Sequence, residues 1–80
     1  MKIPLIKQLV EKYSKEELEK AEAAIAEEQT PQIEIPGEDE GEQLTHAYAA
    51  IEIIRSMEEN KVDFKTALRE YTGRVRNSIS

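Results

Sequence analysis

Apolar residues recur at helical spacings of three and four in four stretches of the chain, and between the second and third of these the pattern changes to strict alternation. Ile3, Ile6, Leu9, Val10 and Tyr13 share one helical face, and Pro4 is tolerated in a first turn, so the spacing predicts a helix over Pro4–Lys12. Ser14 and Glu17 then form a capping box: the hydroxyl can accept the Glu17 amide while the Glu17 carboxylate reaches back. This opens a second helix, rich in Ala and Glu, expected to run to about Gln29. Its stripe of Leu18, Ala21, Ala24 and Ile25 is thin, which predicts an outer position and a smaller share of the core.

Thr30-Pro31 is expected to end that helix, because Pro31 lacks an amide hydrogen and pushes Thr30 toward extended geometry. Ile33 and Ile35 alternate with Gln32 and Glu34, the period of an extended run. A loop pinned by the isoleucines is the simpler reading, and a strand paired with another chain is the alternative. Pro36-Gly37 is turn chemistry, and Glu38, Asp39 and Glu40 make an acidic helix entrance suited to the positive end of a helix dipole. The third helix is expected to start near Gly41 or Glu42. Leu44, Ala47, Tyr48, Ala50, Ile51, Ile53, Ile54 and Met57 cover more than one face, which predicts the central helix of the fold. Asn60 is a stop signal and Asp63 an N-cap for a last helix carrying Phe64, Ala67, Leu68, Tyr71, Val75 and Ile79 on one stripe, with Gly73 a weak point on another face.

These elements predict one all-α domain over residues 1–80: a small four-helix bundle, or a three-helix core with the N-terminal pair as a hairpin or dimerisation arm, with one extended acidic loop. Eighty residues leave little stability in reserve, and self-association as a homodimer is one ordinary way to bury more surface. The chain has no cysteine, which excludes disulfides, thiolate chemistry and cysteine metal sites of its own. Lys7 interrupts the N-terminal apolar run too early for a signal-peptide core, and no stretch approaches the ~18 apolar residues of a membrane span. A cytoplasmic location and no membrane partner are therefore expected.

Charge changes the picture more than composition does. Residues 1–60 carry a net −9 and residues 61–80 a net +3, together the −6 of the whole chain. Between Lys20 and Arg55 there is no Lys or Arg but nine acids, a segment that repels a phosphate backbone and suits a basic protein or a cation. Lys65, Arg69, Arg74 and Arg76 on the last helix do not all align and have no aromatic between them for base stacking. They read as answers to the helix dipole or partners for acids of the second and third helices, and no nucleic-acid partner is expected.

His46 is the only histidine, one helical turn after Glu42. With Glu38 and Asp39 folded back, Glu42 and His46 could make a mixed oxygen and imidazole site for a divalent cation or small ligand. The blander reading is a solvent-exposed pair beside an acidic helix start. No metal or other cofactor is assigned on this pattern, because two ligands on a helix are too few. Catalysis lacks a constellation as well: Thr45 cannot face His46, and the clustered acids sit in what reads as an exposed loop. Tyr13, Tyr48 and Tyr71 each lie on an apolar stripe, where packing is the default expectation.

The opening Met1-Lys2-Ile3-Pro4-Leu5-Ile6-Lys7-Gln8-Leu9-Val10, the run Gly41-Glu42-Gln43-Leu44-Thr45-His46 and the closing Asp63-Phe64-Lys65-Thr66-Ala67-Leu68-Arg69-Glu70-Tyr71 resemble a family of short uncharacterised proteins from Bacteroidetes, a domain of unknown function. The resemblance brings no catalytic residues. It implies an accessory role near thioredoxin-like and peroxiredoxin partners, which a cysteine-free chain could bind or regulate. The functional expectation is a small acidic interaction or regulatory module, not an enzyme, whose surface is Gly37, Glu38, Asp39, Glu40, Glu42 and His46.

Overall fold

The starts of the last three helices are set by short-range hydrogen bonds that the sequence spells out. A computed structural model describes the backbone of residues 3–79 and the side chains of residues 3–75, so the side chains of Arg76 and Ile79 lie outside the described residues. The elements are α1 (Ile3–Lys12), α2 (Lys15–Ala26), α3 (Glu40–Asn60) and α4 (Phe64–Ile79). The Ser14 hydroxyl accepts the Glu17 amide at 3.2 Å and the Glu17 carboxylate accepts the Ser14 amide at 3.1 Å, completing the capping box of α2. Asp39 accepts the Glu42 amide at 2.8 Å to start α3, and Asp63 accepts the Thr66 amide at 2.9 Å to start α4.

The helix ends are less conventional. α2 stops at Ala26, short of Gln29 and well before Pro31. Glu28 turns into the left-handed region at φ 61°, its amide donates to the Ile25 carbonyl at 3.0 Å, and the Gln29 amide donates to the Ala24 carbonyl at 2.8 Å. This is a Schellman closure with a glutamate where glycine is the usual residue. α3 likewise ends through Lys61 at φ 54°. In both cases the backbone turn, and not a downstream proline, terminates the helix.

α3 is the central helix, as its wide apolar coverage predicts: α1, α2 and α4 each make their main packing contacts with it. The N-terminal pair is therefore not a free arm. Ile6 and Leu9 of α1, Leu18 of α2 and Ile53 of α3 are each 2% exposed or less, and full burial of such a side chain contributes ~1.5–3 kcal/mol. Ala47, Ala49 and Ala50 on α3, all fully buried, let the flanking helices approach its axis closely.

Two expectations about the core need correction. α2 buries Leu18, Ala21 and Ile25, whereas α1 buries Ile6 and Leu9, so α2 is not the lesser contributor; its small residues shorten the distance to α3 instead of thinning the contact. Tyr48 is 51% exposed, while Tyr71 is buried and Tyr13 half-buried. Tyr48 stands toward solvent one turn before Glu52, at the edge of the apolar stripe and not in it. No described helix is long and apolar enough to cross a membrane.

Candidate functional site

The connection from Glu27 to Asp39 runs back across the bundle as a strap whose carbonyls are held by α3 side chains. Ile35 is buried and Ile33 half-buried against the core, the arrangement expected of a loop pinned by its isoleucines. The Gln43 amide donates to the Ile35 carbonyl at 3.1 Å. The Nδ1 of His46 lies 2.8 Å from the Pro36 carbonyl oxygen, and since a carbonyl can only accept, Nδ1 carries the hydrogen. Glu34 and Pro36 also border a cleft of about 220 Å³ with Leu5, Leu9, Lys12 and Tyr13, so the strap meets α1 as well.

Gly37 follows these two anchors at φ +154°, and a Cβ there would stand 2.8 Å from the Gln43 backbone nitrogen. Only glycine fits that approach without moving α3. Asp39 then caps the helix. The result is an acidic corner built on fixed backbone: Glu38, Asp39 and Glu40 are exposed, Glu42 is half-buried, and the Thr45 hydroxyl turns back to the Gly41 carbonyl at 2.9 Å.

His46 does not belong to that surface. It is fully buried, which overturns its reading as half of a solvent-exposed pair with Glu42. The signal was present in the sequence: His46 stands four residues before Ala50 and seven before Ile53, on the buried stripe of α3, so it faces inward and Glu42 lies at the margin. Of the six residues expected to form the interaction surface, the structure keeps Gly37, Glu38, Asp39, Glu40 and Glu42 together at the strap–α3 corner and places His46 beneath them. Among the described residues no three of His, Cys, Asp and Glu are grouped so as to hold a metal ion; Asp39 Oδ1 accepts the Glu42 amide and His46 Nδ1 faces Pro36.

On the far side of α3 a second polar region lies against α4, where the sequence predicts cations of the last helix near acids of the third but not the groove between them. Glu52 accepts from Tyr48 and pairs with Arg55 at 3.3 Å. The hydrogen bond to Glu52, then its charge, hold the Tyr48 phenol above its usual value of 10.0. Burial raises Tyr71, helped by the neighbouring Tyr48 and Glu52, while Arg74 opposes the shift. Farther along, the Asn60 amide donates to Glu70 at 3.3 Å and ties the two helices together. Between them runs an open groove of about 690 Å³. Helical spacing alone places Glu52, Ser56 and Glu59 on one flank of α3, but only the packing of α4 makes that flank a groove.

A family model described as a family of unknown function matches residues 1–80. The chain belongs to that family, DUF6952. The match covers the strap, the acidic corner and the α3/α4 groove alike, so these are parts of one family domain. No curated protein and no solved structure matches the chain.

Proposed function

We propose that this DUF6952 chain is a non-catalytic interaction module that presents the acidic corner Gly37–Glu42 to a basic surface of a protein partner. The observation that carries the reading is the pairing of exposed acids with a fixed backbone: Glu38, Asp39 and Glu40 stand in solvent on a strap whose Ile35 and Pro36 carbonyls are held by Gln43 and His46. A charged patch on a rigid support loses little conformational freedom on binding. Exposed acids beside a histidine with no exposed surface suit recognition and not proton transfer to a substrate. A thiol-redox protein in the cytoplasm is the partner class that the family resemblance implies.

The test is a titration of the full chain with a lysine-rich peptide, followed by fluorescence anisotropy at low and high salt. The reading expects binding that weakens with salt and falls at least about tenfold in the variant Glu38→Gln/Glu40→Gln, with circular dichroism unchanged. Asp39 is kept because it caps α3. Equal binding by that variant, or none by the native chain, overturns the proposal.

A further inference from the structure

Six charged side chains border the α3/α4 groove in equal numbers of each sign: Glu52, Glu59 and Glu70 against Arg55, Arg69 and Arg74. A pocket for a phosphate or a metal ion concentrates one sign of charge, and this groove concentrates neither. Ser56, largely buried, and Gly73 also line it. A Cβ added at Gly73 would meet nothing within 4 Å, so nothing inside the described fold requires a glycine there. In the interior of a helix glycine costs ~1 kcal/mol relative to alanine. A glycine that no internal contact needs, at the open side of a groove, leaves room for the backbone of another helix to approach.

We propose that this groove is the contact surface between two copies of the chain, related by a two-fold axis that passes near Gly73. The charge distribution favours a second copy over other occupants. Two chains of net −6 repel one another, most strongly through their acidic straps. The α3/α4 face is where they meet at least electrostatic cost, because its bordering charges, three of each sign, cancel. Tyr48, 51% exposed and one turn before Glu52 on α3, extends the face with aromatic area of the kind that anchors interfaces. α4 has its main contacts with α3 alone, so a second copy covers the side that the chain leaves open. The surface is separate from the acidic corner and stands or falls independently of it.

The experiment is sedimentation of the full chain over a range of concentrations at low and high salt, with charge-reversed variants. The native chain is expected to dimerise, most readily at high salt, where the repulsion between two chains of net −6 is screened. Arg55→Glu/Arg69→Glu alone and Glu59→Arg/Glu70→Arg alone are expected to be monomers, and their mixture to form heterodimers. Gly73→Leu, which adds bulk only to open space, is expected to keep its circular dichroism spectrum and weaken the dimer by at least about tenfold. Glu38→Gln/Glu40→Gln, which tests the acidic corner, is expected to dimerise as the native chain does. A native chain that stays monomeric at both salt concentrations, a Gly73→Leu variant that dimerises normally, or charge-reversed chains that fail to pair on mixing overturns the proposal. So does saturable binding of inorganic phosphate by the native monomer that is lost in Arg55→Glu/Arg69→Glu, which would make the groove an anion site.

Discussion

The imidazole of His46 donates from Nδ1 to the carbonyl oxygen of Pro36, ten residues earlier, and does so with the ring fully buried. With Gln43 on Ile35 one turn before, it holds the strap on the bundle, since the strap has no helix of its own to satisfy those carbonyls. Replacing His46 by Ala removes both the buried ring and the donor. A cost of about 2–4 kcal/mol is expected from the cavity and the unsatisfied carbonyl together. His46→Gln, which can still donate, should lose less. Urea melts measure the difference, and hydrogen exchange should show faster opening of residues 33–37 in the Ala variant than in the Gln variant.

Gly37 lies where a side chain has no room. Gly37→Ala sets a methyl group 2.8 Å from the Gln43 backbone nitrogen, and α3 cannot yield there without losing the Asp39 cap. The expected penalty is about 1–3 kcal/mol. Gly41→Ala is the control, because its added Cβ meets only the Asp39 carboxylate at an ordinary 3.4 Å and helix propensity favours the change. Thermal melts of the two variants should move in opposite directions; parallel shifts would count against the steric account.

Two carboxylates should tilt the pH dependence of stability in opposite senses. Partial burial, then the charges of Glu19 and Glu52, raise Glu22 above its ordinary 4.5. The protonated form favours the fold, so this contribution is full below the ordinary value and is lost as pH rises through the raised one. Glu22→Gln is therefore expected to melt higher than the native chain at neutral pH, with the gain shrinking in acid. Asp63 is held below its ordinary 3.8 by hydrogen bonds from the Thr66 side chain and amide. Its contribution is present above that value and fades as pH falls through the lowered one. Asp63→Asn, which can still cap, should flatten the acid limb of a Tm-versus-pH curve.

Glu28 and Lys61 carry the left-handed backbone at the ends of α2 and α3. Side chains with a Cβ adopt that region at a cost of ~1 kcal/mol that glycine avoids. Glu28→Gly and Lys61→Gly are each expected to raise stability by about 0.5–1 kcal/mol, additively, since the two sites close different helices. Chemical denaturation of the single and double variants checks both the sign and the sum.

The helices themselves were determined by the sequence over spans of three or four residues. Ser14 with Glu17, Asp39 with Glu42 and Asp63 with Thr66 are local pairs, and the starts of α2, α3 and α4 follow from them wherever the bundle sends the chain. The wide apolar coverage of α3 likewise marked it as central, because only a helix packed on several sides can bury so many positions. What tertiary structure decided are the features whose partners lie ten or more residues away. His46 has its inward angle from its spacing to Ala50 and Ile53, but its partner, the Pro36 carbonyl, is there only once the strap folds over the bundle. Gly37 reads as ordinary turn chemistry until the Gln43 backbone closes on it, and Tyr48 and Tyr71 both read as stripe residues until the packing buries Tyr71 and leaves Tyr48 exposed. Periodicity fixes a residue's angle on its own helix; it does not fix which neighbour meets that angle, and burial is a property of the pair.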